Sequence, residues 1–169
     1  GVQAHVSRGM DRTVIGIIGK ADPTLVEQIR QMKDVEEVIK ISKSYKLASR
    51  DFHPDDTVIK IKDVEIGGDQ LVIMGGPCAV ETPDQIDEIA RLVKAAGAQV
   101  LRGGAFKPRT GPYSFQGTGE EGLIMMKEAG EKHGLLTITE IMTPHYVELV
   151  AEYADILQVG TRNMQNFDL

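Results

Sequence analysis

The order of apolar and polar positions changes character near residue 70. Ahead of that point, short β-branched runs are broken by polar residues; beyond it, unbroken apolar runs alternate with longer amphipathic segments. In residues 2–42, "VQAHVSR" alternates weakly, "GMD" reads as a turn and "RTVIGII" is rich in β-branched residues, which predicts two strands. "DPTLVEQIRQM" predicts a helix, with Asp22 as N-cap and Pro23 at the first helical position. Leu25, Val26, Ile29 and Met32 fall on one face of it. "VEEVIKI" then predicts a third strand. The sum is a β-β-α-β unit, a small helix-on-sheet domain if one more strand and helix preceded it.

Residues 44–69 read as a linker, in which "DFHPDD" is a turn and "TVIKIKDVEIGGD" alternates like a hairpin. From Gln70 onward "LVIMGG" is a continuous apolar run, expected as a strand buried on both faces. "TPDQIDEIARLVKAAG" predicts a helix with a capping box at Thr82 and Gln85, Pro83 at its first position and Gly97 closing it. Then come a strand at "AQVLRGG", a helix at "GEEGLIMMKEAGEKHG" stopped by Gly134, and a strand at "LLTITE". A helix at "TPHYVELVAEY", capped by Thr143 and Pro144, and a strand at "DILQVG" complete the series. Strands alternating with capped helices predict α/β architecture with a parallel sheet. Both a barrel and an open sheet fit four strands. The placement of the unusual residues favours a barrel: Cys78 follows the first strand, Arg102 ends the second, Glu140 ends the third and Arg162 follows the fourth. Parallel α/β proteins build their sites at those C-terminal strand ends. A complete barrel takes about 250 residues, so residues 70–169 are expected to be its first half.

Composition narrows the class. With 169 residues, 41% hydrophobic and 26% charged, the chain is globular in character. A net charge of −6 argues against a nucleic-acid partner, no apolar run approaches a membrane span, and a single cysteine excludes an internal disulfide framework. A cytoplasmic protein is expected. The chain opens within a strand pattern and stops at "RNMQNFDL" without a closing signal, so it reads as a piece cut from something longer at both ends.

Against that acidic background, "LRGGAFKPRTGPYSFQGTG" gathers Arg102, Lys107 and Arg109 with no carboxylate. On an ordinary surface loop three exposed cations would be unremarked. Here Arg102 follows directly on the apolar pair Val100–Leu101, so its base lies inside and calls for an anionic partner. Glycines let backbone N–H groups approach a ligand. The stretch therefore predicts an anion pocket, and charge alone fits either phosphate or carboxylate.

Cys78, in "GGPCAVE", would by default be a small core residue. Its position after Gly-Gly-Pro at a strand's mouth moves it into the site, as nucleophile or metal ligand. His133 and His145, both expected on helices, are the histidines of this half, and no zinc-like spacing surrounds the cysteine. Glu140 is either a loop carboxylate or, among cations, a group that positions water or takes a proton. "GTGEEG" has the G-x-G-x-x-G pattern at Gly117, Gly119 and Gly122 but does not follow a strand directly, so it reads as the start of a helix and not a dinucleotide site. Met125 and Met126 read as core filling.

Together "GGPCAVE", "LRGGAFKPRTGPYSFQGTGEEGL", "TITEIMTP", "AEYADILQVGTRNMQNF" and "SRDFHPDDTVI" closely resemble the 3-deoxy-D-arabino-heptulosonate 7-phosphate (DAHP) synthases. The resemblance is to the branch fused to chorismate mutase or to a ferredoxin-like regulatory domain. It implies a partial ferredoxin-like α+β domain over residues 1–43, the linker 44–69, and the first half of a (β/α)8 TIM barrel over 70–169. It further implies a divalent metal of Mn, Fe, Co or Zn type, with Cys78 as a ligand. Phosphoenolpyruvate would be held by Arg102, Lys107 and Arg162 with backbone help at Thr161, and erythrose 4-phosphate by Arg109 and Thr110. Lys107 and Glu140 would be catalytic, Glu140 near the water that adds to phosphoenolpyruvate. A homo-oligomer and an aromatic end product as effector are implied as well.

Two residues depart from the family pattern: Gly111 where a serine is usual after "KPRT", and Thr161 where "GARN" is usual. The sister family that makes 3-deoxy-octulosonate 8-phosphate reads Lys-Ala-Asn-Arg at the place of Lys107, Pro108, Arg109 and Thr110, which disfavours it. A further alternative for these residues alone is a non-catalytic regulatory or assembly fragment.

Overall fold

The computed structural model describes residues 2–9, 12–20, 22–40, 45, 48–50 and 53–169. The chain divides into two compact units, residues 1–58 and 59–169. In the first, β1 (Gln3–Arg8) and β2 (Thr13–Ile18) pair antiparallel from Gln3 opposite Ile18 to Arg8 opposite Thr13. Met10 and Asp11, in the expected turn, lie outside the described residues. Helix α1 (Pro23–Arg30) starts as its sequence predicts: the Asp22 carboxylate accepts from the Leu25 backbone N–H at 2.8 Å, and Pro23 needs no N–H partner in the first turn.

The third strand expected at "VEEVIKI" is not formed over residues 35–40, and Ile41 lies outside the described residues. A β-branched run prefers the extended state, but a strand exists only where a neighbour completes its ladder. Val35 and Val38 are half-buried and Ile39 is 58% exposed, so this segment has neither a ladder nor a covered face.

The second unit opens with the expected hairpin, β3 (Ile59–Ile61) and β4 (Val64–Ile66), whose turn puts Lys62 at φ 53°. A four-stranded parallel sheet follows in the order β5 (Met74–Gly75), β6 (Val100–Arg102), β7 (Leu136–Ile141), β8 (Ile156–Val159). Helices α2 (Pro83–Ala95), α3 (Glu120–His133) and α4 (Val147–Tyr153) connect successive strands. These are consecutive β/α units of the barrel type, in chain order around the sheet.

Local signals account for most boundaries. The Gln85 N–H donates to the Thr82 hydroxyl at 3.2 Å, and the Gln85 amide oxygen accepts from Glu81 N–H at 3.0 Å. Gly119 is the N-cap of α3, as "GTGEEG" predicts, and Gly134 ends that helix at φ 63°, ψ 47°, a left-handed cap that costs a glycine nothing. Two expectations fail. The apolar run at 71–76 yields a strand only at Met74–Gly75, and Leu71 is 82% exposed. β5 pairs on one side only, with β6, so its residues lack the second neighbour that a doubly buried strand requires. Thr143 makes no side-chain cap; a 3-10 turn at Pro144–Tyr146 leads into α4 instead.

Side chains alternate across the sheet and separate two cores. Leu101 faces the helices with Val80, Ile86, Ala90, Met126, Ala129 and Leu135, while Ile141 packs with Ala105, Leu123 and Val150. On the opposite face Val100, Leu136 and Ile138 pack against Val64 of the hairpin, with Ile61, Ile66, Val72 and Ile156 around them. The hairpin thus closes the inner face at the N-terminal strand ends. Burying each such side chain contributes about 1.5–3 kcal/mol. Asp155 ties the same end together: it accepts from Thr137 N–H at 2.9 Å, returns its own N–H to the Thr137 hydroxyl at 3.2 Å, and pairs with Lys62 at 2.9 Å.

Candidate active site at the C-terminal strand ends

Two residues up from the apolar inner face, three of the four strands turn polar. Arg102 follows Val100 by two positions on β6, Glu140 follows Ile138 on β7, and Gln158 follows Ile156 on β8. Side chains two apart share a face, so these three rise above the hairpin-covered core. Glu140 and Gln158 stand opposite each other in register, whereas Arg102 stands opposite Ile138.

The loops above β5 and β6 bring Cys78, Arg102 and Lys107 together. Lys107 is a buried lysine, 9% exposed, whose Nζ donates to the Cys78 carbonyl at 2.5 Å and reaches Cys78 Sγ at 3.3 Å. Arg102 Nη1 donates to the Pro77 carbonyl at 3.1 Å. A side chain at Gly104 would strike both the Cys78 carbonyl and Lys107 Nζ, each 2.8 Å from its Cβ, so the small residue is what lets the lysine lie across. Cys78 itself is exposed. The hydrogen bond from Lys107 and then its charge lower the thiol's pKa; slight burial opposes this, and Arg102 adds to the lowering. The cysteine is thereby biased towards thiolate.

Glu140 is half-buried, with its carboxylate lying on Gly160: a Cβ there would come within 1.9 Å of Oε1. Arg109 and Thr110 are exposed in the loop between β6 and α3. Thr161 and Arg162 are exposed in a 3-10 turn after β8. Neither Arg109 nor Arg162 makes an ion pair among the described residues. Of the sequence-predicted site residues, then, Lys107 is hydrogen-bonded to Cys78, and Arg102 to the adjoining Pro77 carbonyl. Glu140 shares the inner face with Arg102, and Arg109, Thr110, Thr161 and Arg162 stand on loops at the same strand ends.

Gln158 was not anticipated from sequence, although the two-residue period of "ILQV" marks it once the inner face is known. Thr118, which donates to the Val80 carbonyl at 3.0 Å, and Gln116, in the cation loop, were also passed over. Neither histidine of this unit's helical segments serves the cysteine. His133 Nε2 is bonded to Asp87 at 2.9 Å between α2 and α3, and His145 lies against the ring of Tyr146.

The donor set fits one corner of a metal site. A polarised, exposed thiolate is a suitable soft ligand. Among the described residues no group of three or more His, Cys, Asp or Glu side chains could hold an ion, so Cys78 would supply at most one ligand of an incomplete centre. Among the described residues, too, no helix is long and apolar enough to cross a membrane.

A family model described as DAHP synthetase I family matches residues 56–169, two-thirds of the chain and all of the site. The chain belongs to that family. A second model, DAHP synthase ferredoxin-like domain, matches residues 1–43. The phospho-2-dehydro-3-deoxyheptonate aldolase of Thermotoga maritima is 48% identical over 168 residues, covering 99% of this chain and 50% of that protein. Its crystal structure, described as DAHP synthase, superposes with a TM-score of 0.73 over 99% of this chain and 49% of its own. The 2-dehydro-3-deoxyphosphooctonate aldolase of Fusobacterium nucleatum is more distant, 31% identical over 68% of this chain and 44% of that protein. The chain spans about half the length of the curated relatives it matches. With the superposition, the four parallel strands and their three helices are those of a TIM barrel, preceded in the chain by part of a ferredoxin-like domain.

Proposed function

We propose that the protein carrying this chain is a metal-dependent DAHP synthase, the first enzyme of the shikimate pathway. It would condense phosphoenolpyruvate with erythrose 4-phosphate to give DAHP and phosphate. The observation that carries the reading is the cluster of Arg102 and buried Lys107 beside Cys78, at the C-terminal ends of barrel strands. Membership of the DAHP synthetase I family and the 48% identity to the Thermotoga maritima enzyme support it.

Two phosphates and a carboxylate bring about four negative charges or more into one cavity, and they repel unless neutralised. Arg102, Lys107 and Arg162 would take phosphoenolpyruvate, and Arg109 with Thr110 the phosphate of erythrose 4-phosphate. Holding both substrates in attack geometry is worth several kcal/mol of barrier, about 7–11 at best. The CH2 carbon of phosphoenolpyruvate then bonds to the aldehyde carbon of the sugar. Water adds to the carbon that bears the phosphate, and inorganic phosphate leaves. Glu140, whose carboxylate lies on Gly160, would orient that water and accept its proton. Cys78 would be a ligand of a divalent metal, which when bound supplies Lewis acidity towards the aldehyde oxygen. The described residues hold no group of three or more His, Cys, Asp or Glu side chains that would complete such a site.

The whole protein should turn over erythrose 4-phosphate in preference to arabinose 5-phosphate when phosphoenolpyruvate and a divalent metal are supplied. A preference for the five-carbon sugar overturns the assignment in favour of the octulosonate family.

A further inference from the structure

We propose that Gln116 is a positioning residue for the sugar phosphate: its side-chain amide holds the tip of the loop that presents Arg109 and Thr110. The inference rests on the phosphate-binding role given to those two residues above.

The loop between β6 and α3 doubles back on itself. Phe106 forms an antiparallel bridge with Gly117, Lys107 N–H donates to the Gln116 carbonyl at 2.9 Å, and Gly119 N–H donates to the Ala105 carbonyl at 3.0 Å. These bonds make a short stem. Beyond it the tip is closed by one main-chain turn, Ser114 N–H to the Gly111 carbonyl at 3.1 Å. The Gln116 Nε2 group then donates to both ends of that turn, to the Gly111 carbonyl at 3.2 Å and to the Ser114 carbonyl at 3.0 Å. A primary amide has two N–H donors on one nitrogen, and both are used here.

Gln116 therefore serves two parts of the site. Its backbone carbonyl fixes the main chain of Lys107, and its side chain fixes the turn that directly follows Arg109 and Thr110. Arg109 is exposed and makes no ion pair among the described residues, so the backbone conformation of the tip decides where its guanidinium stands. An unorganised tip would have to be ordered when phosphate binds, at a cost in affinity. The chemistry recognised is a phosphomonoester on the aldehyde substrate. The phosphoenolpyruvate side, held by Arg102 and Lys107, does not depend on this amide.

The test uses the whole protein and three variants. Gln116→Glu keeps the shape, removes both donors and turns a carboxylate towards two carbonyl oxygens. It should raise the KM for erythrose 4-phosphate three- to tenfold, the range that losing such hydrogen bonds commands. The KM for phosphoenolpyruvate should move less than twofold. Gln116→Ala, which removes the donors without adding charge, should shift the same constant in the same direction. In both variants the preference for erythrose 4-phosphate over unphosphorylated erythrose should fall by the same factor. A general loss, with both KM values rising together or kcat alone falling, would make Gln116 an ordinary loop support and overturn the proposal. Arg109→Ala separates the two levels. If it raises the KM for erythrose 4-phosphate while the Gln116 variants do not, only the positioning role fails; if it leaves that KM unchanged, the phosphate assignment fails and the proposal with it.

Discussion

Lys107 and Glu140 owe their placement to two glycines that leave room for them. At Gly104 an added methyl would meet Lys107 Nζ and the Cys78 carbonyl, and at Gly160 it would meet the Glu140 carboxylate. The second case makes a sharp experiment, because the obstructed atom is the end of a flexible side chain and the backbone has no need to move. Gly160 is buried, but at φ −75°, ψ 163° its backbone suits alanine, so Gly160→Ala should cost about 1 kcal/mol of stability, the centre of the range for point substitutions. The displaced carboxylate should lower kcat at least tenfold, since a group that moves a proton must lie within hydrogen-bond reach. Equal kcat, with a normal melting temperature, would remove Glu140 from the chemistry. Cys78 has a matching test in Cys78→Ser, which should lose bound metal and activity together, with partial recovery in excess metal. An inactive Cys78→Ser protein with full metal occupancy would show that the thiol is not a ligand.

At the scale of elements, the inner face is clamped from below by the hairpin, and Asp155 is the tie. Burial alone would raise its pKa, yet the bonds from Lys62 and Thr137 outweigh burial and hold it below the usual carboxylate value. A carboxylate depressed in this way adds stability above its unfolded pKa and loses it as pH falls through the folded value. Asp155→Asn should therefore lower stability by about 1 kcal/mol at pH 7. The gap between variant and parent melting temperatures should narrow as pH falls below the unfolded carboxylate value of about 3.9 and close only below the depressed folded value, where the parent's carboxyl is protonated as well. A gap that is the same at pH 7 and pH 3 would place the effect in packing. Elements were mostly legible in the sequence where the signal was local, the missing side-chain cap at Thr143 being the exception. Asp22, Thr82 and Gly134 mark helix ends through bonds spanning three or four residues, and all three are in place. The failures, "VEEVIKI" and the apolar run at 71–76, concern strands, whose existence depends on a distant partner that no local pattern reports. Cys78, Arg102 and Lys107 were legible as a group because charge gathered in a glycine-rich stretch is rare in an acidic chain. Gln116 and Gln158 were not, since a neutral amide carries no such contrast and gains meaning only from the carbonyls or strand that face it.

At the scale of the whole chain, the two units carry separate family matches. Residues 1–43 match the ferredoxin-like domain, and residues 56–169 hold all the proposed site residues. Deleting residues 1–43 from the whole protein should keep DAHP synthesis and abolish inhibition by aromatic amino acids. Inhibition that survives the deletion would move the effector site into the barrel. The parallel sheet has one further property. Val100 and Arg102, Ile138 and Glu140, Ile156 and Gln158 are pairs of even spacing, the lower member greasy and the upper one polar. The intervening residues, Leu101, Thr139 and Leu157, belong to the helix side of the sheet. Function here is written in the parity of the strands. Inserting a single residue below Glu140 would rotate its carboxylate outward among the helices and turn an aliphatic residue to the substrates, with the loops untouched. Two inserted residues would restore the facing and lift the acid by about 7 Å, clear of the cations. Insertions of one or two residues within these three strands should therefore disturb the polar inner face.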